Sequence, residues 1–258
     1  MRGWARINEY QEYRSNCSIY LLSVPLSGIR GRTIFYLFVC LHGLIVSKLL
    51  PLSLPVDPRP LPAAVEALLR DADRRIELFQ QARKDTPVVG FVPSDFPTVY
   101  HHLDVLFELN LAAGHRFLEW GSGAGVVACL AAMLDFDAVG IEIEPDLVTI
   151  ANGLAEDHEI EAQFICGSFV PEGAEDLLDR QEDITWLRSD GANAYEELGL
   201  EPDDFDVIFA YPWPGEEQIV FDLFAKTAAV GALLVTYHGQ EGVRVARKGR
   251  DRRTRRDR

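Results

Sequence analysis

One stretch, Phe117-Leu-Glu-Trp-Gly-Ser-Gly-Ala-Gly-Val126, constrains this chain more than any other. Residues 116–119 read as a short strand that runs directly into three alternating glycines, Gly121, Gly123 and Gly125. An alanine-rich run with helical character, residues 126–134, comes immediately after. Glycine lacks a β-carbon, so the backbone there turns tightly and can approach a ligand closely. A strand, a glycine turn and a helix in immediate succession make one half of a βαβ unit, which needs further parallel strands to bury it.

The chain downstream supplies them. Residues 138–143, 162–166, 206–211 and 231–237 read as strands. Residues 145–158, with Pro145 in the first turn, and residues 217–229 read as helices. Alternation of this kind predicts an α/β fold: a doubly wound, mostly parallel sheet with helices on both faces and right-handed crossovers. Upstream, residues 63–82 carry Val65, Leu68, Leu69, Ile76 and Phe79 on one helical face, which predicts a helix packed beside the domain. Asp95 or Thr98 is placed to cap a helix running to Leu111. Residues 171–188, which hold Trp186, read as an acidic insertion between the third and fourth strands.

The ends differ from the middle. Residues 1–57 form an extension with an apolar stretch, residues 34–47, that is shorter than the ~20 residues a spanning helix needs. Five arginines precede it, an orientation that would send the main domain out of the cytoplasm. An extension outside the fold is the preferred reading; a helix lying on a membrane or partner, and a membrane span, stay open. Residues 58–90 comprise a proline-rich linker and the preceding helix, residues 91–242 the ligand-binding domain, and residues 243–258 a basic, disordered tail. The formal charge is −15, and the basic tail makes the body more acidic still. Such a body repels phosphate backbones, so nucleic-acid contact would fall to the tail. The four cysteines, Cys17, Cys40, Cys129 and Cys166, match neither a zinc site nor a disulfide framework. Cys129 and Cys166 are expected to be buried thiols, no metal site is expected, and a reducing, cytoplasmic location is expected.

The glycine turn is flanked by carboxylates. Gly-x-Gly-x-Gly departs from the Gly-x-Gly-x-x-Gly of dinucleotide sites, whose last position here is Val126. Glu119, two residues before the first glycine, would repel a pyrophosphate and suits a cationic ligand. Glu142 closes the next strand, where a carboxylate can accept from both hydroxyls of a ribose. The run from Glu119 to Gly125, with Val139-Gly-Ile-Glu-Ile-Glu-Pro145, resembles the Rossmann-like, class I S-adenosylmethionine methyltransferases over roughly residues 91–239. That resemblance implies S-adenosylmethionine as cofactor. It implies that Glu119, Gly121, Ser122, Gly123 and Gly125 line the methionine end and that Glu142 holds the ribose. It also implies that Ser168, or alternatively Asp190, lies near the adenine. Phe91-Val-Pro-Ser94, Gly121-Ser-Gly123 and Val139-Gly-Ile-Glu142 with Pro145-Asp-Leu-Val148 are, more narrowly, similar to protein-lysine methyltransferases acting on ATP synthase c-subunit.

Two further strand ends carry unusual chemistry. Ala210-Tyr-Pro-Trp-Pro-Gly-Glu-Glu217 stands where amino-methylating relatives often carry Asn or Asp followed by prolines and an aromatic; the prolines match and the Asn is missing. Tyr211 and Trp213 are the candidate catalytic residues there, an aromatic wall that orients a nucleophile and favours cations. His238 is a candidate base, with a structural role the commoner reading for a lone histidine. Many members of the resembling family close the sheet with a hairpin after the fifth strand. Only residues 242–246 remain here, so the sheet is expected to be short by a strand or two. The expected activity is methyl transfer to a protein lysine or another amine, with a protein or small molecule as partner. A non-catalytic cofactor-binding protein and a nicotinamide-dependent oxidoreductase are the alternatives.

Overall fold

The computed structural model describes residues 49–88, 90–178 and 191–250. Among these, seven strands form one sheet in the order β1-β7-β6-β5-β2-β3-β4. Its centre is parallel: β6 (Leu233–Tyr237), β5 (Val207–Ala210), β2 (Arg116–Trp120), β3 (Asp137–Glu142) and β4 (Ala162–Cys166). Helices α3 (Val126–Ala132) and α4 (Pro145–Asp157) return the chain between β2, β3 and β4. Helices α5 (Ala194–Leu198) and α6 (Glu217–Thr227) serve the other half.

Side chains alternate between the two faces, as the strand period requires. Phe117, Val207, Phe209, Leu233 and Val235 face α3, α4 and the two leading helices, α1 (Ala63–Ala82) and α2 (Phe96–Glu108). Leu118, Trp120, Ile208, Ala210 and Leu234 face α5 and α6. Helix α1 buries Val65, Leu68, Leu69, Ile76 and Phe79, the expected stripe. Asp95 caps α2 by accepting from Thr98 N at 3.0 Å, and the helix stops at Glu108, before Asn110 at φ 48°. The chain winds outward from β2 to β4, then crosses back to β5 on the other side of β2. Ligands bind where the strand order reverses in this way, beyond the carboxyl ends of the strands. Trp120 pairs with Ala210 across that reversal, so the loops beginning at Gly121 and Tyr211 start side by side.

The sheet is not short of its closing strands. β7 (Val243–Lys248) folds back antiparallel on β6 through a short turn at Gly239–Glu241. β1 (Leu49–Leu52) pairs antiparallel with β7 and so runs parallel to the centre. Both strands lie in segments expected to fall outside the fold. The basic residues of β7 point, by composition, to a disordered tail, but they have work at the sheet edge. Arg247 donates to Leu111 O at 2.8 Å, and buried Lys248 donates to Ala228 O at the end of α6, where a cation suits the helix dipole. Val245, on the same strand, is also buried. The apolar stretch at residues 34–47 lies outside the described residues. Among the described residues, no helix is long and apolar enough to cross a membrane.

Leu52 and Leu54 pack on one face of the sheet and Leu49 on the other. A chain beginning at Leu49 retains these contacts. One beginning at residue 58 should lose about 2–4 kcal/mol, the scale for exposing several part-buried leucines. An unchanged midpoint on deleting residues 49–57 would show that β1 contributes nothing.

Candidate active site

A cavity of about 780 Å³ opens at the strand reversal, within the ~300–1,000 Å³ typical of small-molecule sites. Its floor is the glycine turn. Gly121 N and Ser122 N both donate to Ile141 O at 2.9 Å, which anchors the turn to β3. Gly123 sits at φ +54°, and a β-carbon there would stand 2.9 Å from the Phe91 ring, so the close approach of that ring requires glycine. Gly125, at φ +75°, faces inward instead: a β-carbon there would meet Phe164 at 2.5 Å and Ala151 at 2.6 Å. Gly125 is absent from the cavity lining. The Cβ side of Gly125 is thus packed against β4 and α4.

Two carboxylates flank the turn, on adjacent strands. Glu119 is 4% exposed, and one of its oxygens accepts from Ala128 N at 2.8 Å. Ala128 is the third residue of α3, whose N-cap is Gly125 and so offers no side-chain acceptor. Glu119 supplies it and places negative charge at the positive end of the helix. Burial nonetheless pushes the Glu119 carboxyl well above its usual range; the bond from Ala128 opposes this and the charge of Glu142 adds to it. Glu142 accepts from Gly123 N at 2.8 Å through one oxygen and from Glu144 N at 2.9 Å through the other. Burial raises its carboxyl too, against those backbone bonds. Both carboxylates line the cavity.

The opposite wall comes from the loop after β5. Tyr211 and Trp213 both line the cavity. Tyr211 meets Tyr237 edge-on, with centroids 4.8 Å apart, and burial with that neighbour raises its phenol, which therefore stays protonated at neutral pH. Trp213 Nε1 donates to Gly90 O at 3.1 Å, tying this loop to the segment before α2. The same segment holds Phe91, which packs edge-on against Phe79 at 5.7 Å. Glu216, 4% exposed, also lines the cavity.

Of the expected site residues, Glu119, Gly121, Ser122, Gly123, Glu142, Ser168, Tyr211 and Trp213 converge on this one cavity. Ser168 Oγ accepts from Val170 N at 3.1 Å, a bond that shapes the loop after β4. Asp190, its alternative, lies outside the described residues, as does the insertion from residue 179 onward. His238 does not line the cavity; it pairs with Thr236 Oγ1 at 2.8 Å, and burial followed by Arg244 lowers its basicity. Cys129 is buried, its thiol pushed up to about 12, but Cys166 is exposed, because β4 is the sheet edge. Glu144 is partly buried, lines the cavity and pairs with Arg83 at 3.4 Å. Sequence reasoning missed the stacked pair Trp120 and Phe169 in the cavity wall. The only signal for it was an aromatic residue just beyond the carboxyl end of β4.

The residues present fit an S-adenosylmethionine-like ligand. Ser122 Oγ is buried without a hydrogen-bond partner, a cost that a polar ligand atom would relieve. A carboxylate has about four acceptor positions, and each Glu142 oxygen accepts one of the bonds described, which leaves capacity for a diol.

Comparison with known proteins gives a partial match. No protein-family model matches the chain. It is 34% identical over 93 residues to a ribosomal protein L11 methyltransferase of Cupriavidus metallidurans, covering 36% of this chain and 30% of that protein. The corresponding protein of Ralstonia pickettii is 32% identical over 93 residues, covering 36% and 31%. The match thus spans about a third of these relatives' length. Among solved structures, an RNA methyltransferase from Salinibacter ruber in complex with S-adenosyl-L-homocysteine is 19% identical with a TM-score of 0.42, covering 62% of this chain and 95% of that one. The strand order itself is that of a Rossmann-like, doubly wound α/β sheet.

The raised Glu119 carboxyl has a thermodynamic sign. A group whose folded pKa is raised stabilises the fold below its unfolded value and loses that contribution as pH rises through the folded value. Glu119→Gln keeps an acceptor for Ala128 N and cannot ionise. Its melting temperature is expected to exceed that of the wild type by a margin that grows as pH rises above the ordinary carboxylate range. A margin independent of pH would contradict the assignment.

Proposed function

We propose that this chain is a class I S-adenosylmethionine-dependent methyltransferase whose acceptor is an amine, with a protein lysine favoured. The observation that carries the reading is a pair of carboxyl groups, buried Glu119 and part-buried Glu142, flanking a positive-φ glycine turn at the strand reversal. A pyrophosphate gains nothing from that pair, since its charge would push both carboxyls further from ionisation, which argues against a nicotinamide cofactor. A ligand with an ammonium and a sulfonium gains from it. The named methyltransferase relatives support the same reading.

S-adenosylmethionine supplies a methyl group made electrophilic by its sulfonium. The chain's residues bind and orient. Glu142 accepts from the ribose hydroxyls while its bond from Gly123 N holds the turn in place. Glu119 would meet the amino group of the methionine end, and a cation there would draw its raised carboxyl toward ionisation, so that binding would tighten as pH rises. Tyr211 and Trp213 form the acceptor wall. Transfer from a sulfonium needs little covalent assistance, and alignment of the nucleophile supplies much of the rate. An amine must release its proton to solvent before it attacks, and desolvation in the partly buried site favours that neutral form. The names of the relatives favour a protein acceptor over a nucleic acid, and so does the acidic body.

Calorimetry with S-adenosylhomocysteine tests the cofactor half. The wild type is expected to bind and Gly123→Val to fail, because the new side chain collides with Phe91. Glu142→Ala should weaken binding by about 1–3 kcal/mol. Equal affinities in all three would reject the site. The acceptor half is tested by Trp213→Ala, expected to lower turnover by about tenfold or more through misalignment while leaving cofactor affinity nearly unchanged. A variant with full turnover would remove Trp213 from the site.

A further inference from the structure

Behind the cavity lies a buried phenol that neither carboxylate nor the acceptor wall uses. Tyr195 belongs to α5, in the segment that returns to the sheet after the acidic insertion. It is 1% exposed, and its hydroxyl makes two hydrogen bonds. It accepts from Trp120 Nε1 at 2.9 Å and donates to Phe169 O at 2.9 Å. Trp120 and Phe169 stack on each other, with centroids 5.4 Å apart and planes within 13°. Both line the cavity, and Phe169 is the nearest side chain to the outer face of Gly121, 3.9 Å from a β-carbon built there.

The phenol is itself held from behind. Asn193 Oδ1 accepts from Tyr195 N at 3.1 Å and starts α5. Ser168 N donates to Ala192 O at 2.8 Å, and Ser168 bridges to Asn193 as a short parallel extension of β4. Gly167 admits this approach, since a β-carbon there would stand 2.5 Å from Ala192 O. Burial raises the Tyr195 phenol far above neutral pH, so it remains a donor.

We propose that Tyr195 is a positioning residue for the cofactor cavity: its hydroxyl locks the Trp120–Phe169 stack as a flat apolar wall beside the glycine turn. This rests on the reading of that cavity as the cofactor site. Without the phenol oxygen, the indole N–H and the Phe169 carbonyl lose their shared partner, and the stack loses its register against Gly121. The phenol also links the segment after the insertion to the ligand wall, so displacement of α5 is felt at the cavity.

The test uses the full chain and S-adenosylhomocysteine as probe. Tyr195→Phe, at a temperature where it is fully folded, is expected to bind about tenfold more weakly, the scale of two lost hydrogen bonds. The Trp120 indole N–H resonance, assigned through Trp120→Phe, should shift at the same time. Phe169→Leu keeps the backbone acceptor but removes the stack. It should also weaken binding, and adding Tyr195→Phe to it should cost little more, since the two act as one unit. Wild-type affinity in Tyr195→Phe overturns the proposal, as does wild-type affinity in Phe169→Leu should the tyrosine variant fail to fold. A wild type that does not bind the probe overturns both the proposal and the cofactor reading beneath it. Wild-type binding with unaffected variants overturns the proposal alone.

Discussion

A helix that begins at a glycine has no side chain of its own to accept its first backbone N–H groups. In this chain α3 begins at Gly125, and Glu119 reaches across from β2 to take the N–H of Ala128. Much of the site depends on that bond. It brings a carboxylate under the glycine turn, in a position too buried for it to ionise cheaply. Beneath the turn, Phe164 and Ala151 pack against the Cβ side of Gly125. Glu142 does the corresponding work one strand over, holding the turn at Gly123 from the other side. The glycines and the carboxylates are therefore one device: the turn needs acceptors because it lacks side chains, and the acceptors bring two carboxyls, both held above their usual range, into the cavity wall.

The strand reversal turns that device into a site. Trp120 and Ala210 are neighbours in register, so the glycine turn and the Tyr211–Trp213 loop leave the sheet together. The bond from Trp213 to Gly90 O then closes the aromatic wall against the segment carrying Phe91. Phe91 itself rests on Gly123. Elements from three separate parts of the chain thus meet over one turn, and their close approach depends on the absence of a β-carbon at Gly123.

The parallel core was legible in the sequence because its strands are short apolar runs and its helices carry clear stripes or caps. Residues 162–166 and 63–82 coincide with β4 and α1. The edge was not legible. Val243–Lys248 alternates apolar with basic residues, and charge density alone points to a tail, whereas Arg247 and Lys248 satisfy carbonyls at loop and helix ends. β1 is a four-residue leucine and proline segment whose pairing is set by β7, a partner almost two hundred residues away, which no local pattern reveals. In the site, the carboxylates and glycines could be read from spacing. Gly125 could not be told from Gly123, because which face of a turn meets solvent depends on packing from α4 and β4. Tyr195 was invisible for the same reason: its partners, Trp120 and Phe169, join it only through the tertiary fold.

Binding of a cofactor alone would leave a non-catalytic protein on the same architecture standing, since fold does not dictate activity. The measurement that bears most directly on the central claim is transfer of a labelled methyl group from S-adenosylmethionine into fractionated cell material, run with the wild type and with Gly123→Val. The account predicts label in the protein or small-molecule fraction with the wild type and none above background with the variant. Cofactor binding by the wild type with no label in any fraction, or equal label with both proteins, would contradict it.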